Sequence, residues 1–170
     1  MIDLQKGIVT RPTVHPAAEI VQRAASLADA FRKHELPVVL VNVTGRAPGR
    51  TQTGPPSVAP PLDWAELVPE LQPQPTDYRV TKQRWGAFTG TTLDEYLKRQ
   101  GVTQIVLSGV STSIGVESTA RSAYELGYNI VLATDAMTDM DAATHENSIE
   151  RIFPRLGETA TTAEILALLG

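Results

Sequence analysis

Residues Val102–Ala136 read VTQIVLSGVSTSIGVESTARSAYELGYNIVLATDA. Ile105–Leu107 is an unbroken apolar run, the mark of a strand buried on both faces. Ser108–Ser113 is small and mostly polar, as a tight turn requires. From Gly115 onward Val116, Ala120, Ala123, Tyr124 and Gly127 recur at helical spacing, while Glu117, Ser118, Arg121, Ser122 and Glu125 take the other face. Glu117 and Arg121 stand four apart in the favourable order, and Gly127 is placed to end the helix in a left-handed conformation. Asn129–Thr134 is a second buried run. The stretch is one βαβ unit with a right-handed crossover. In an open α/β sheet the ligand sits at the carboxyl end of such a first strand, here the loop Gly109–Gly115.

Phosphate-loop readings of that turn fail. A Walker loop needs four residues between its glycines and then Lys-Ser/Thr; Gly109 and Gly115 are separated by five and followed by Val116-Glu117. The dinucleotide fingerprint is absent as well. The helix amino terminus still suits an anionic group such as a substrate carboxylate.

A chain of 170 residues fits one domain spanning residues 1–170. With 42% hydrophobic and 20% charged residues it has the composition of a globular protein. A net charge of −4 supplies no basic footprint for nucleic acid or an anionic membrane. No apolar run approaches a membrane span and no signal peptide is visible, so a cytoplasmic location is expected. The chain has no cysteine, which excludes disulfides, thiolate metal sites and a thiol nucleophile.

The chain opens abruptly on Met1-Ile2-Asp3-Leu4-Gln5. Pro16–Glu35 reads as an amphipathic helix with Ala17, Ile20, Val21, Ala24, Leu27, Ala28 and Phe31 on its buried stripe, stopped by Pro37. Val38–Val43 is a continuous apolar strand. His15 and His34 flank the helix as solvated residues. Thr44–Leu62, with five prolines and three glycines, is a loop of the length often used as a lid; its Arg46 and Arg50 read as solvated cations rather than substrate ligands. Trp64–Leu67 suggests one helical turn. Asp77–Thr81 is a short strand ending at Lys82. Thr92 and Glu95 form a capping box for a helix with Leu93, Tyr96 and Leu97 on its face, ended by Gly101. Asp135 reads as a turn or cap. Asp141 caps a helix whose face is Ala142, His145, Ile149, Ile152 and Phe153, stopped by Pro154. A strand near Glu158–Ala160 and a last helix capped by Thr161 and Glu164 complete a doubly wound, mostly parallel sheet with helices on both faces.

GVSTSIGVESTARSAYELGYNIVLATDA, with IDLQ at Ile2–Gln5 and Lys82-Gln83-Arg84-Trp85-Gly86-Ala87-Phe88, resembles the isochorismatase-like hydrolases, or cysteine hydrolase superfamily, which includes nicotinamidases and carbamoylsarcosine amidases. The resemblance spans nearly the whole chain and implies a Rossmann-like three-layer sandwich. In that family an apolar strand precedes the residue matching Asp3; here it is nearly missing, so a truncated first strand and a start inside the gene are expected. The resemblance implies that Asp3 is a catalytic acid/base and Lys82 a catalytic lysine, against the plainer readings of a terminal carboxylate and a surface charge. In most of the family a nucleophilic cysteine occupies the position of Gly115; isochorismatases proper carry glycine there. The substrate is expected against Arg84, Trp85 and Phe88, although core packing explains Phe88 equally well, and against Ser111, Thr112 and Ile114. His145 matches a family histidine but reads more plainly as packed or at an interface. Zinc-binding members use an aspartate and two histidines; with His15, His34 and His145 widely spaced, no metal and no cofactor are expected. The family implies a homo-oligomer, dimer or tetramer, with Trp64 or the His145 helix at an interface.

Without a thiol the covalent scheme is closed. A carboxyl group, an ammonium group and a small space above a helix suit acid-catalysed hydrolysis of an enol ether such as isochorismate. Two alternatives stay open: an amide hydrolase using Ser111, Thr112, Ser113 or Ser118, and a ligand-binding homologue without catalysis. Whether burial raises the Asp3 pKa more than Lys82 lowers it is not decided by sequence.

Overall fold

The computed structural model describes residues 1–54 and 58–170. The elements, in order, are α1 (Lys6–Val9), α2 (Ala17–Lys33), β1 (Val39–Val43), a 3-10 turn (Pro69–Leu71), β2 (Tyr78–Lys82), α3 (Leu93–Arg99), β3 (Gln104–Val110), a π turn (Thr112–Val116), α4 (Glu117–Glu125), β4 (Asn129–Thr138), α5 (Ala142–Asn147), a second π turn (Ser148–Ile152), a 3-10 turn (Phe153–Arg155), β5 (Glu158–Ala160) and α6 (Thr162–Leu169).

β1 pairs in parallel with β2, and β3, β4 and β5 form a parallel ladder. The two halves meet at one residue, Ile2, which bridges in parallel to both Val41 and Gly109. The order is therefore β2-β1-Ile2-β3-β4-β5, and the expected first strand is reduced to this one rung. Gly109 makes the rung possible: its φ of +127° suits glycine, and a Cβ there would overlap the Ile2 carbonyl.

Strand pleating sends alternate residues to opposite layers. Val41, Leu107 and Leu132 meet Leu93 and Leu97 of α3 and Ala120 and Ala123 of α4. On the opposite face Leu40 meets Ile20, Val21 and Ala24 of α2, while Leu27 packs with Ala133 and Ile165. The expected α/β sandwich with helices on both faces is thus present. The π turn displaces the start of α4 by two residues from the expected Gly115, and Tyr124, expected inside, is exposed. Gly127 does end this segment at φ +86°, and Arg121 Nε donates to Glu117 Oε1 at 2.9 Å.

Other local expectations divide. α6 carries both halves of its capping box, and Asp141 accepts from the Thr144 amide. The Thr92 box does not form, because the Thr92 hydroxyl lies 2.7 Å from the Tyr78 hydroxyl and bonds there instead. Residues 62–65 form a turn rather than a helix, with the Trp64 ring over Gly7. Pro154 lies within a 3-10 turn that continues the α5 segment rather than stopping it. β4 runs on to Thr138, past the expected end at Thr134. Of the long loop, Arg46 donates to the Gly54 carbonyl, Arg50 is exposed, and residues 55–57 lie outside the described ones. Among the described residues no helix is long and apolar enough to cross a membrane.

Candidate active site

Asp3 follows the Ile2 rung with φ +52°, a left-handed turn that takes the chain out of the sheet. Its amide donates to the Val41 carbonyl at 2.9 Å, which fixes the carboxylate at the carboxyl end of β1. Lys82 is the last residue of β2 and points inward; only 2% of the residue is exposed. Its Nζ donates to Asp3 Oδ2 at 2.7 Å and to the Arg84 carbonyl at 3.1 Å. Asp3 Oδ1 is buried and has no hydrogen-bond partner among the described residues.

Gly115 faces this pair. A Cβ built on it would stand 3.2 Å from Asp3 Oδ2 and 2.9 Å from Ile2 Cγ2. Residues far apart in the chain thus converge: Asp3, Lys82 and Gly115 meet at the carboxyl edge of the sheet, as their positions at element ends suggested. Burial drives the Asp3 pKa upward, and the Lys82 ammonium, by charge and hydrogen bond, only partly offsets it; the carboxyl is raised from 3.8 to about 6. The competition left open by sequence is decided for burial.

Around this centre the expected contact residues separate. Trp85 is 62% exposed and Ile114 39% exposed. Arg84 is half-buried, with its guanidinium on the Gln83 carbonyl. Ser111 Oγ donates to Met140 Sδ at 3.0 Å. Thr112 corrects its expectation: it is fully buried, and its Oγ1 lies 2.9 Å from His145 Nδ1, so the hydroxyl is engaged inside the fold. Phe88 is taken by the alternative reading: it stacks on Tyr128 at 5.8 Å within the core.

Three polar residues that sequence reading passed over hold the site together. Thr119 Oγ1 donates to the Gly115 carbonyl at 2.7 Å and accepts from the Ala87 amide at 3.0 Å, tying the Lys82 loop to the start of α4. Buried Asp139 accepts from the Ser113 amide at 2.7 Å and pins the π turn. Buried Gln5 donates to the Val43 and Trp64 carbonyls and accepts from the Val43 amide. Gln5 alone left a trace, as the last letter of IDLQ. His145 is packed, its ring 4.9 Å from that of His15, and burial, with the neighbouring His15, holds its pKa below the ordinary value. Asp135 has the structural role expected, accepting from the Thr162 amide and hydroxyl. Among the described residues no group of three or more histidines and carboxylates is arranged to hold a metal ion.

This geometry sits in a chain whose residues 1–164 match the isochorismatase domain family model. An uncharacterized isochorismatase family protein of Bacillus subtilis, YwoC, is 47% identical over 98% of this chain and 90% of its own length. The structure of an isochorismatase family protein from Burkholderia thailandensis superposes with a TM-score of 0.95 at 43% identity, covering 99% of this chain and 92% of the other. That of N-carbamoylsarcosine amidase from Thermoplasma acidophilum gives 0.78 at 26% identity, covering 95% and 93%. With the sheet, the converging carboxylate and lysine, and a match over nearly its full length, the chain belongs to the isochorismatase family.

Proposed function

We propose that this protein is a hydrolase that cleaves an enol ether, isochorismate or a relative, by proton transfer without a covalent intermediate. Gly115 is read as the vacant seat of the family nucleophile. The observation that carries the proposal is the Asp3 carboxyl: one oxygen held by Lys82, the other buried without a partner among the described residues, and a pKa of about 6 that leaves it partly protonated near neutrality.

In the reaction Asp3 gives its proton to the terminal carbon of the vinyl group, whose π electrons form the new C–H bond and leave an oxocarbenium ion. Lys82 steadies the carboxylate so formed. Water adds to the cationic carbon and returns a proton to Asp3. The hemiketal then collapses: its hydroxyl loses a proton, the C–O bond to the ring breaks, and the ring oxygen leaves as an alcohol. The sum is enol ether plus water to pyruvate plus alcohol, with Asp3 restored. Trp85 and Ile114, which are exposed, and half-buried Arg84 are the residues this reading expects the substrate to meet.

A serine mechanism lacks its activating contact, since the only side-chain partner of Asp3 among the described residues is Lys82. The test is turnover of isochorismate followed by pyruvate release. The unaltered protein is expected to turn it over, and Asp3→Asn to lose roughly 100-fold or more of kcat. No turnover of isochorismate or related enol ethers, or unchanged activity in Asp3→Asn, overturns the proposal.

A further inference from the structure

The chain has 3 histidines, and two that the sequence sets far apart meet in the fold. The His15 ring, on the segment before α2, lies 4.9 Å from the His145 ring of α5, with the planes at 58°. Each ring is held at the same atom by a threonine hydroxyl. His145 Nδ1 lies 2.9 Å from Thr112 Oγ1, and His15 Nδ1 lies 3.2 Å from Thr138 Oγ1, which also accepts from the His15 amide at 3.1 Å. Thr112 and Thr138 are both fully buried, so packing fixes the two anchors. Neither Nε2 has a hydrogen-bond partner among the described residues. A polar neighbour on Nδ1 with Nε2 left open is how proteins orient a histidine that ligates a metal.

The spacing of the rings fits the same use. A metal–nitrogen bond of about 2.0–2.1 Å puts the ion about 3.2 Å from each ring centre, so two imidazoles sharing one ion at square-planar to tetrahedral angles have centres about 4.5–5.2 Å apart. The observed 4.9 Å falls inside that range. Charge favours a cation: Asp139 and Glu146 act on His145 as negative neighbours. Asp139 is not itself a ligand, because its two oxygens accept from the Ser113 and Met140 amides. Burial and the neighbouring His15 hold the His145 pKa below the ordinary value, which favours the unprotonated imidazole that a metal requires. His145 is buried and His15 exposed, so the pair is reached from solvent on the His15 side.

We propose that His15 and His145 form a chelating pair for a late first-row divalent ion, Cu²⁺ or Zn²⁺, held through both Nε2 atoms with water completing its shell. Two imidazoles without a carboxylate or carbonyl ligand select against Mg²⁺ and Ca²⁺, and Cu²⁺ binds more tightly than Zn²⁺. The ion ties the segment before α2 to α5 and, through Thr112, to the π turn that carries Gly115. The inference is independent of the chemistry at Asp3, and its test reads binding rather than turnover.

The test titrates the metal-free, tag-free chain with Cu²⁺ and with Zn²⁺ by calorimetry, beside His15→Gln, Thr138→Val and His34→Gln. A single ion per chain is expected, tighter for Cu²⁺. Affinity should fall by roughly tenfold or more in His15→Gln and by about 10–100-fold in Thr138→Val, which loses the hydroxyl that orients His15. His34→Gln should bind as the unaltered chain does, and the Cu²⁺ complex should show electron-spin coupling to two imidazole nitrogens. Because His15 is exposed, its replacement leaves the core intact; if Thr138→Val does not fold, His15→Gln and the Cu²⁺ spectrum decide. Absence of binding, binding that survives His15→Gln, loss of binding in His34→Gln, or coupling to fewer than two imidazoles overturns the proposal.

Discussion

Lys82→Met gives the sharpest stability prediction, because its effect should change with pH. Burial raises the Asp3 pKa from 3.8 to about 6, and each unit is worth about 1.4 kcal/mol, so ionising this carboxyl in the folded state costs about 3 kcal/mol relative to the unfolded chain. The folded pKa lies above the unfolded one. The contribution is therefore fully present below pH 4 and is lost as pH rises through about 6. At pH 8 Asp3 is ionised and leans on the lysine; removing that cation leaves a buried unpaired carboxylate, at a cost of about 3–5 kcal/mol. At pH 5 Asp3 is largely neutral, so the same substitution removes a buried ammonium that has little to pair with, and the cost falls to about 1 kcal/mol or below. The assay is urea unfolding of both proteins at both pH values. The double difference removes the contributions of groups that neither touch nor face the Asp3–Lys82 pair; the Met1 amine, lowered by burial and raised by the Asp3 charge, titrates in the same window and is coupled to the pair. An equal cost at pH 5 and pH 8 would refute the reasoning.

Other outcomes follow from the same geometry. With Asp3 as proton donor, kcat/KM on an enol ether should fall about tenfold per pH unit above pH 6 to 7, as Asp3 loses its proton through about 6; a profile rising with pH excludes this role. Gly115→Ala places a methyl 2.9 Å from Ile2 Cγ2 and 3.2 Å from Asp3 Oδ2. It should cost about 1–3 kcal/mol in thermal unfolding and lower kcat by crowding the carboxyl. On the proposed reading of Gly115 as the nucleophile's position, Gly115→Cys should acquire measurable amidase activity, visible as ammonia release and as a thiol-linked adduct by intact mass. Thr119→Val strands the Ala87 amide and should destabilise by about 1–3 kcal/mol, with a fall in kcat if the Lys82 loop shifts.

The βαβ unit was readable because two apolar runs and one amphipathic stretch each have a single stable reading as buried strand or surface helix. The α6 capping box was readable because it is closed within four residues. Thr92 shows the limit: the same local pattern lost to the hydroxyl of Tyr78, fourteen positions away. Tyr124 failed similarly, since helical spacing marks a face but cannot say where the neighbouring layer ends. Asp3 and Lys82 were found only through the resemblance; nothing in their immediate neighbours says that a terminal carboxylate and a lysine 79 positions apart meet at 2.7 Å. Thr119 and Asp139 escaped for a related reason. Both act on backbone groups of other segments, and such partners have no side-chain signature.

The most direct measurement is the fate of the proton. Turnover of isochorismate in deuterium oxide, followed by mass spectrometry of the pyruvate under conditions where free pyruvate does not exchange, reads whether the vinyl carbon was protonated. The mechanism predicts one deuterium in the pyruvate methyl group at every turnover, and loss of product in Asp3→Asn. Hydrolysis that proceeds without that label, or at an undiminished rate in Asp3→Asn, would contradict it.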